Sequence, residues 1–423
     1  MELAIRKLDE KGILAKAAAK KLARASTVTK NQALTNIAEA IISRQKDILD
    51  ANRIDYKYAE SSGIKSSMLD RIMLSSGRLE ALSNSVKKIV ALSDPIGEIF
   101  DMHTAANGLQ IGKKRVPLGV IGAIYESRPN VTIDISSLCI KSGNAVILRS
   151  GRESIHSSII LAKIAQEACE KAGIDPGVIQ IIESTEHALV NHMLQMRGVI
   201  DLIIPRGGVE LINIVRENAA MPVITGGVGV CHAYVDKDAD CDKAIAIINN
   251  AKVQRPSVCN ALDCILIHTQ IANDYLPLIA RNLASSDVEL HCDEKSMAIL
   301  RSIPSLKLLN AVEEDWGNEF LSLKVAVKVV GSLEEAIEHI DKYGGHSETI
   351  ISENYSAAMK FINEVDAASV YANASTRFTD GEEFGLGAEI GISTQKFHAR
   401  GPMGLKEVTS YKWIILGEGQ IRT

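Results

Sequence analysis

Residues 116–153 read "VPLGVIGAIYESRPNVTIDISSLCIKSGNAVILRSGRE". The segments "VPLGVIGAIYE" and "AVILRS" are apolar and rich in β-branched residues, and between them lies a helical run that Ser142 and Gly143 end. A run that is apolar without alternation suits a strand covered on both faces. Strand, helix and strand in that order require a crossover, so the two strands are parallel. The pattern continues through a helix from about Ser154 to Ala172 with Gly173 at its end, "GVIQII", another helix, "VIDLIIP", a helix after Arg206-Gly207-Gly208, and "MPVITGG". The expectation is a doubly covered parallel α/β sheet, the Rossmann type that binds dinucleotides at its strand ends.

Working outward, residues 1 to about 95 carry apolar side chains at three- and four-residue spacing and predict a helical cover. At Met102 the texture changes to alternating residues around Asn107-Gly108, which predicts a projecting hairpin with a two-residue turn. Downstream, "VCHAYVD", "ALDCILIH", "LKVAVKVV", "SETIIS" and "ASVYANAS" alternate with helical segments, further helices lying between the second and third, so a second α/β sheet is expected. The chain closes on glycine-rich loops and the alternating strand "TSYKWIILG". Three regions follow: 1–101 with 117–229 for dinucleotide binding, 230–382 for catalysis, and 102–116 with 383–423 as a hairpin and tail suited to subunit pairing.

With 423 residues, 46% of them hydrophobic and 23% charged, the chain can bury sizeable cores in more than one domain. A net charge of -5 excludes a general polyanion-binding surface, so nucleic acid is not an expected partner. The N-terminus has no secretory pattern and no apolar run reaches the ~18 to 20 residues of a membrane span, so a cytoplasmic location is expected. Cys139, Cys169, Cys231, Cys241, Cys259, Cys264 and Cys292 are scattered without a CxxC pair. Reduced thiols are expected, and no metal site.

Most of these cysteines read as small core residues, Cys139, Cys169, Cys241 and Cys264 among them. Cys259 differs, because "KVQRPSVCN" surrounds it with Gln254, Arg255, Ser257 and Asn260. A loop thiol beside a cation is where a nucleophile is built. Asn130 follows a strand and precedes a helix, so by position it is a helix cap first and an oxyanion donor second. "ILRSGRE" and "IPRGGVE" place arginine and glycine at strand-to-helix turns, where backbone N–H groups and a guanidinium receive phosphate. Arg149, Ser150, Arg206, Gly207 and Gly208 are the cofactor candidates there. Glu319 and His346 read as loop residues, with solvated roles the simpler ones.

Together, "VQRPSVCNAL", "ESRPNVT", "IPRGG", "YGGHSE" and "FHARGPMGLKEVTSYKW" resemble the γ-glutamyl phosphate reductases of proline biosynthesis, within the aldehyde dehydrogenase superfamily. The resemblance implies an aldehyde dehydrogenase-like fold and a cysteine thioester on Cys259, with Asn130 as oxyanion donor. It implies Arg149 at the adenine ribose, Glu319 at the nicotinamide ribose, and reduction of L-glutamyl 5-phosphate to the semialdehyde with release of phosphate. Arginine in place of lysine at 149 favours NADPH, since a 2'-phosphate rewards a guanidinium fork. Where oxidising members read "ELGGK", this chain reads "ITGGV", and Ile224 replaces the glutamate that activates water. Arg255 and Arg377 are both candidates for the substrate α-carboxylate. A homo-oligomer, dimer or tetramer, is expected, and glutamate 5-kinase is named as a partner to test. The competing readings are a hydrolytic aldehyde dehydrogenase and a scaffold that has lost its chemistry.

Overall fold

The computed structural model describes residues 2–64, 66–226 and 229–422. Its chain divides into two compact units, one of Met1–Thr225, Gly385–Gly391 and Met403–Thr423, the other of Gly226–Phe384 and Ile392–Pro402.

In the first unit a four-stranded parallel sheet runs in the order Ile179–Ile181, Ala145–Ser150, Val120–Tyr125, Leu202–Arg206. Val120–Tyr125 and Ala145–Ser150 are buried along their whole length, as unalternated apolar runs require. Helices Val131–Lys141 and Ile155–Lys171 follow these two strands in the chain. Register pairs Tyr125 with both Ser150 and Arg206, so three strands end level and present their following turns together. "MPVITGG" forms only a bridge between Val223 and Ile203 instead of the expected strand. Pro222 contributes its carbonyl to Ile203 N–H at 2.9 Å but has no N–H to give. Gly227 of that stretch and Val228 of "ITGGV" lie outside the described residues.

The N-terminal helices Glu2–Leu22, Thr27–Ser43, Gln45–Ser61, Ser66–Ile72 and Ser76–Ala91 form the expected cover. Ser26 and Ser75 cap two of them by accepting from the N–H groups of Thr29 and Arg78. A separate antiparallel sheet joins Ile99–Thr104, Gln110–Pro117 and the late strand Thr409–Leu416 in that order. Its hairpin departs from expectation. Ala105 N–H reaches Leu109 O at 2.8 Å, and Gly108, at φ +82°, donates to Ala105 O at 2.9 Å. The connection is therefore a three-residue loop in which only the glycine takes the left-handed conformation.

In the second unit a seven-stranded parallel sheet is ordered Lys307–Asn310, Glu289–Cys292, Lys324–Val330, Cys264–His268, His232–Val235, Ser347–Ile351, Ser369–Ala372. The first two strands were expected as helix. Both are four residues long, only Lys307–Asn310 is the edge strand, and Glu289 and His291 interrupt the apolar pattern of Glu289–Cys292 as Lys307 and Asn310 bound that of its neighbour, which hides them from a search for apolar runs. Helix Cys241–Val253 precedes the polar turn that leads to Cys264–His268. Among the described residues no helix is long and apolar enough to cross a membrane.

Candidate active site

Cys259 lies half-buried in the turn after helix Cys241–Val253, and the turn is held from several sides. Asn260 Nδ2 donates to Thr379 O at 2.8 Å, and Thr376 Oγ1 donates to Asn260 O at 2.7 Å. Beneath it, Cys231 Sγ donates to Cys259 O at 3.3 Å. Gly229 packs against the same turn. A Cβ there would stand 2.8 Å from Cys259 O, 3.1 Å from Cys259 Cβ and 3.0 Å from Glu319 Oε1. Only glycine fits between the thiol residue and the Glu319 carboxylate. The backbone beside Glu319 is anchored in turn, because Phe320 N–H donates to Asp263 Oδ1 at 3.1 Å.

The second unit thus brings Cys259, Arg255, Arg377 and Glu319 into one neighbourhood. Arg377 Nε donates to Gln254 Oε1 at 3.0 Å. Burial lowers the Arg377 pKa, as does repulsion from Arg255, while Asp380 and the thiols of Cys259 and Cys231 oppose the shift. Two guanidinium groups therefore bias this turn toward anions. Arg255 is exposed and Arg377 only partly so, which makes Arg377 the more fixed of the two.

His346 is not a solvated loop residue. It is 1% exposed, bonded through Nδ1 to Ser347 Oγ at 2.8 Å, and burial draws its pKa down to about 4. Ser347 Oγ and Tyr371 OH both meet Thr379 Oγ1 at 2.7 Å, so a buried hydrogen-bonded chain runs behind the thiol turn. Cys139, Cys169 and Cys264 are core thiols as expected, whereas Cys241 at its helix start is partly exposed.

In the first unit Asn130 stands at the N-cap position of helix Val131–Lys141, its carbonyl accepting from Ile133 N–H at 2.9 Å, but its side chain makes no cap bond. Its backbone is already helical, at φ −58° and ψ −30°. Its side chain turns one helical turn onward, Nδ2 donating to Asp134 Oδ2 at 2.9 Å. Burial pushes the Asp134 carboxyl up to about 6, while Asn130, Arg206 and Arg128 pull it the other way. An amide held by a carboxylate has its second N–H left to present elsewhere, and its oxygen is kept from reversing the group.

At the strand ends, Arg149 is 7% exposed and donates from Nη2 to Thr185 O at 3.1 Å. Burial lowers its pKa, and the Glu153 and Glu126 carboxylates offset part of that. Arg149 Nε and Ser150 Oγ are buried without a hydrogen-bond partner among the described residues. Buried polar atoms left unbonded are costly, and a dinucleotide's ribose and phosphate oxygens match them chemically. The "IPRGG" turn differs from its expected open form, because Gly208 N–H already donates to Glu126 Oε2 at 3.0 Å. A phosphate at this turn competes with that carboxylate. Ile224 is buried at 1% exposure and carries no base.

Asp134, Glu126, Cys231 and Gly229 escaped the sequence reading. Asp134 alone had a local signal, the four-residue helical spacing from Asn130. His232, Cys264 and His339 form a buried group whose ligand atoms lie within 4.8 Å of one another. Lys328 Nζ stands 3.1 Å from His339 Nδ1, which makes Nδ1 the acceptor and turns the Nε2 proton toward Cys264 Sγ at 3.8 Å. That is a hydrogen-bonded core cluster.

The aldehyde dehydrogenase family model matches residues 7–300. A γ-glutamyl phosphate reductase of Dehalococcoides mccartyi is 55% identical over 423 residues, all of both chains. One from Caldanaerobacter subterraneus is 54% identical over 416 residues, covering 98% of this chain and 99% of that one. The crystal structure of γ-glutamyl phosphate reductase from Thermotoga maritima superposes with a TM-score of 0.94 at 46% identity, covering 98% of this chain and 100% of the other. An acetylating aldehyde dehydrogenase from Geobacillus thermoglucosidasius, 17% identical with a TM-score of 0.73, shares the fold.

Proposed function

Because the chain belongs to the aldehyde dehydrogenase family and, within it, to the γ-glutamyl phosphate reductases of the second step of proline biosynthesis, we propose that it works through a thioester on Cys259, with NADPH as reductant. The observation that carries this reading is the thiol of Cys259 in a hydrogen-bonded turn beside two guanidinium groups.

The Cys259 thiolate attacks the acyl carbon of L-glutamyl 5-phosphate. The oxyanion is held by the Asn130 amide and the Cys259 backbone N–H, donors worth on the order of 3 kcal/mol each in such a role. Collapse expels phosphate, a good leaving group, and leaves the glutamyl group on sulfur. Asp134 keeps the Asn130 amide in the donating orientation. Arg377, fixed by Gln254, is the better candidate for the substrate α-carboxylate, and Arg255 adds attraction from the exposed side. Arg149 and Ser150 would hold the adenosine portion of the dinucleotide, with Arg206, Gly207 and Gly208 at its phosphates and Glu319 at the nicotinamide ribose. When bound, that cofactor supplies the hydride that reduces the thioester to the aldehyde. Ile224, buried and without a titratable group, leaves water without a general base at this position, so the acyl group persists until it is reduced.

The test runs the reaction in reverse, from glutamate semialdehyde and NADP, with and without phosphate and with and without a thiol alkylator. Dependence on phosphate and loss on alkylation are expected. Oxidation of the semialdehyde at an undiminished rate without phosphate would mean that water, not phosphate, takes the acyl group.

A further inference from the structure

A cavity of about 520 Å³ opens in the first unit between helix Glu2–Leu22 and the strands Gln110–Pro117 and Thr409–Leu416. Its charged lining is Lys16, Lys20, Lys114, Arg115, Lys412 and Asp201. Arg115 is neutralised by Glu98 at 2.9 Å. Asp201 is committed to the backbone, its Oδ2 accepting from Val120 N–H at 2.8 Å. The four lysines have no ion pair among the described residues.

Their placement is unfavourable twice over. Lys16 and Lys20 are four apart on one helix, where like charges repel. Lys114 and Lys412 are directly opposite in the antiparallel ladder, the register in which like charges also repel. Both pairs converge on one concavity, in a chain whose net charge is -5. A protein that is acidic overall has no general reason to crowd cations there.

We infer that this cavity binds a small multivalent phosphate-bearing anion, separately from the reaction. Phosphate fits better than carboxylate. The lysines come from a helix and from two strands, and each is a point charge of the kind phosphate accepts, whereas a planar carboxylate is matched by an arginine fork. The place is also distinct from the cofactor side. Gly119, Val120 and Asp201 line the cavity at the amino ends of the parallel strands, and Arg149, Ser150 and Arg206 stand at the carboxyl ends. A strand of this length separates the two by roughly 16 Å.

Pyrophosphate titrated calorimetrically into the full chain tests this, with citrate as the carboxylate comparison. With NADPH saturating the cofactor side, one pyrophosphate per chain is expected, with affinity at least tenfold lower in Lys16→Gln/Lys20→Gln and in Lys114→Gln/Lys412→Gln, and unchanged in Arg149→Ala. Citrate is expected to bind at least tenfold more weakly than pyrophosphate. Without ligand, both double variants should unfold at the same or a higher temperature, since repulsion is relieved, which separates lost binding from lost fold. The proposal is overturned if pyrophosphate binding survives both double variants, if Arg149→Ala removes it, or if citrate binds as well. It is also overturned if the lysine variants alter the mass of the assembly in solution while anion affinity stays the same, because acidic groups of a second copy would then be the occupant.

Discussion

The thiol turn of the second unit and the strand-end turns of the first are both polar, but they are satisfied in different ways. Around Cys259 the backbone is bonded from within the protein, through Asn260, Thr376, Thr379 and Cys231. Around Arg149 and Ser150, buried polar atoms have no hydrogen-bond partner among the described residues, and Glu126 already holds the Gly208 N–H. On the proposed mechanism, the first arrangement would fix the reacting sulfur before substrate arrives. On the same proposal, the second would keep hydrogen-bonding capacity in reserve for the dinucleotide.

Substitutions should expose that difference, and the largest effect falls on the fixed turn. Cys259→Ser is expected to lower kcat by on the order of a thousandfold or more, measured as NADPH oxidation with glutamyl phosphate, since this thiol is the proposed carrier of the acyl chain. Asn130→Ala should cost about a hundredfold to a thousandfold in kcat, the range for one oxyanion donor. Gly229→Ala sharpens the comparison. Its added methyl meets Cys259 and Glu319, so a displacement of the turn should lower kcat by about a hundredfold. Gly208→Ala, with nothing within 4 Å of the added Cβ, should leave kcat alone, and equal losses in the two would erase the distinction between a crowded glycine and an uncrowded one.

Effects on the cofactor side should be smaller and should appear in binding. Arg149→Ala is expected to weaken NADPH roughly tenfold to a hundredfold more than NADH, the worth of a bond to a charged group. Equal weakening of the two in a fluorescence titration would remove the 2'-phosphate from the account.

The smallest expected loss belongs to Asp134. Its carboxyl is raised from an ordinary value of 3.8 to about 6, so it is ionised above that pH and neutral below it. Wild-type kcat should therefore show an acid limb near pH 6, which Asp134→Asn should flatten while costing about fivefold at pH 7, because an amide oxygen still accepts but without charge. Stability moves the other way. The folded form holds this proton more tightly than the unfolded form, so the group's unfavourable contribution is complete above about pH 6 and fades as pH falls toward 4. Asp134→Asn should thus be neutral or stabilising at pH 7 in a denaturant melt, even as activity drops.

The sheets were legible because parallel strands buried on both faces leave apolar runs that nothing else explains, as in "VIGAIY" and "CILIH". The short strands Lys307–Asn310, at the sheet edge, and Glu289–Cys292, next to it, are not legible, since Lys307, Glu289 and His291 break their apolar runs. Cys259 stood out because its polar neighbours are adjacent in sequence. The cap expected at Asn130 is met in position only, because its helical ψ keeps the side chain from the free N–H groups, and no residue pattern reveals that angle. Glu126 on Gly208 and Cys231 beneath Cys259 are long-range pairings, 82 and 28 residues apart, and no local pattern encodes them.

The central claim is the covalent one, and the most direct measurement is peptide mass mapping after the protein is mixed with glutamyl phosphate in the absence of NADPH and quenched in acid. Acid protonates the α-amine and keeps it from cyclising onto the acyl group. A glutamyl adduct on the peptide containing Cys259, formed with one equivalent of phosphate released and discharged when NADPH is added before the quench, is the predicted result. An adduct on another residue, or turnover at the full rate with no adduct formed, would contradict it.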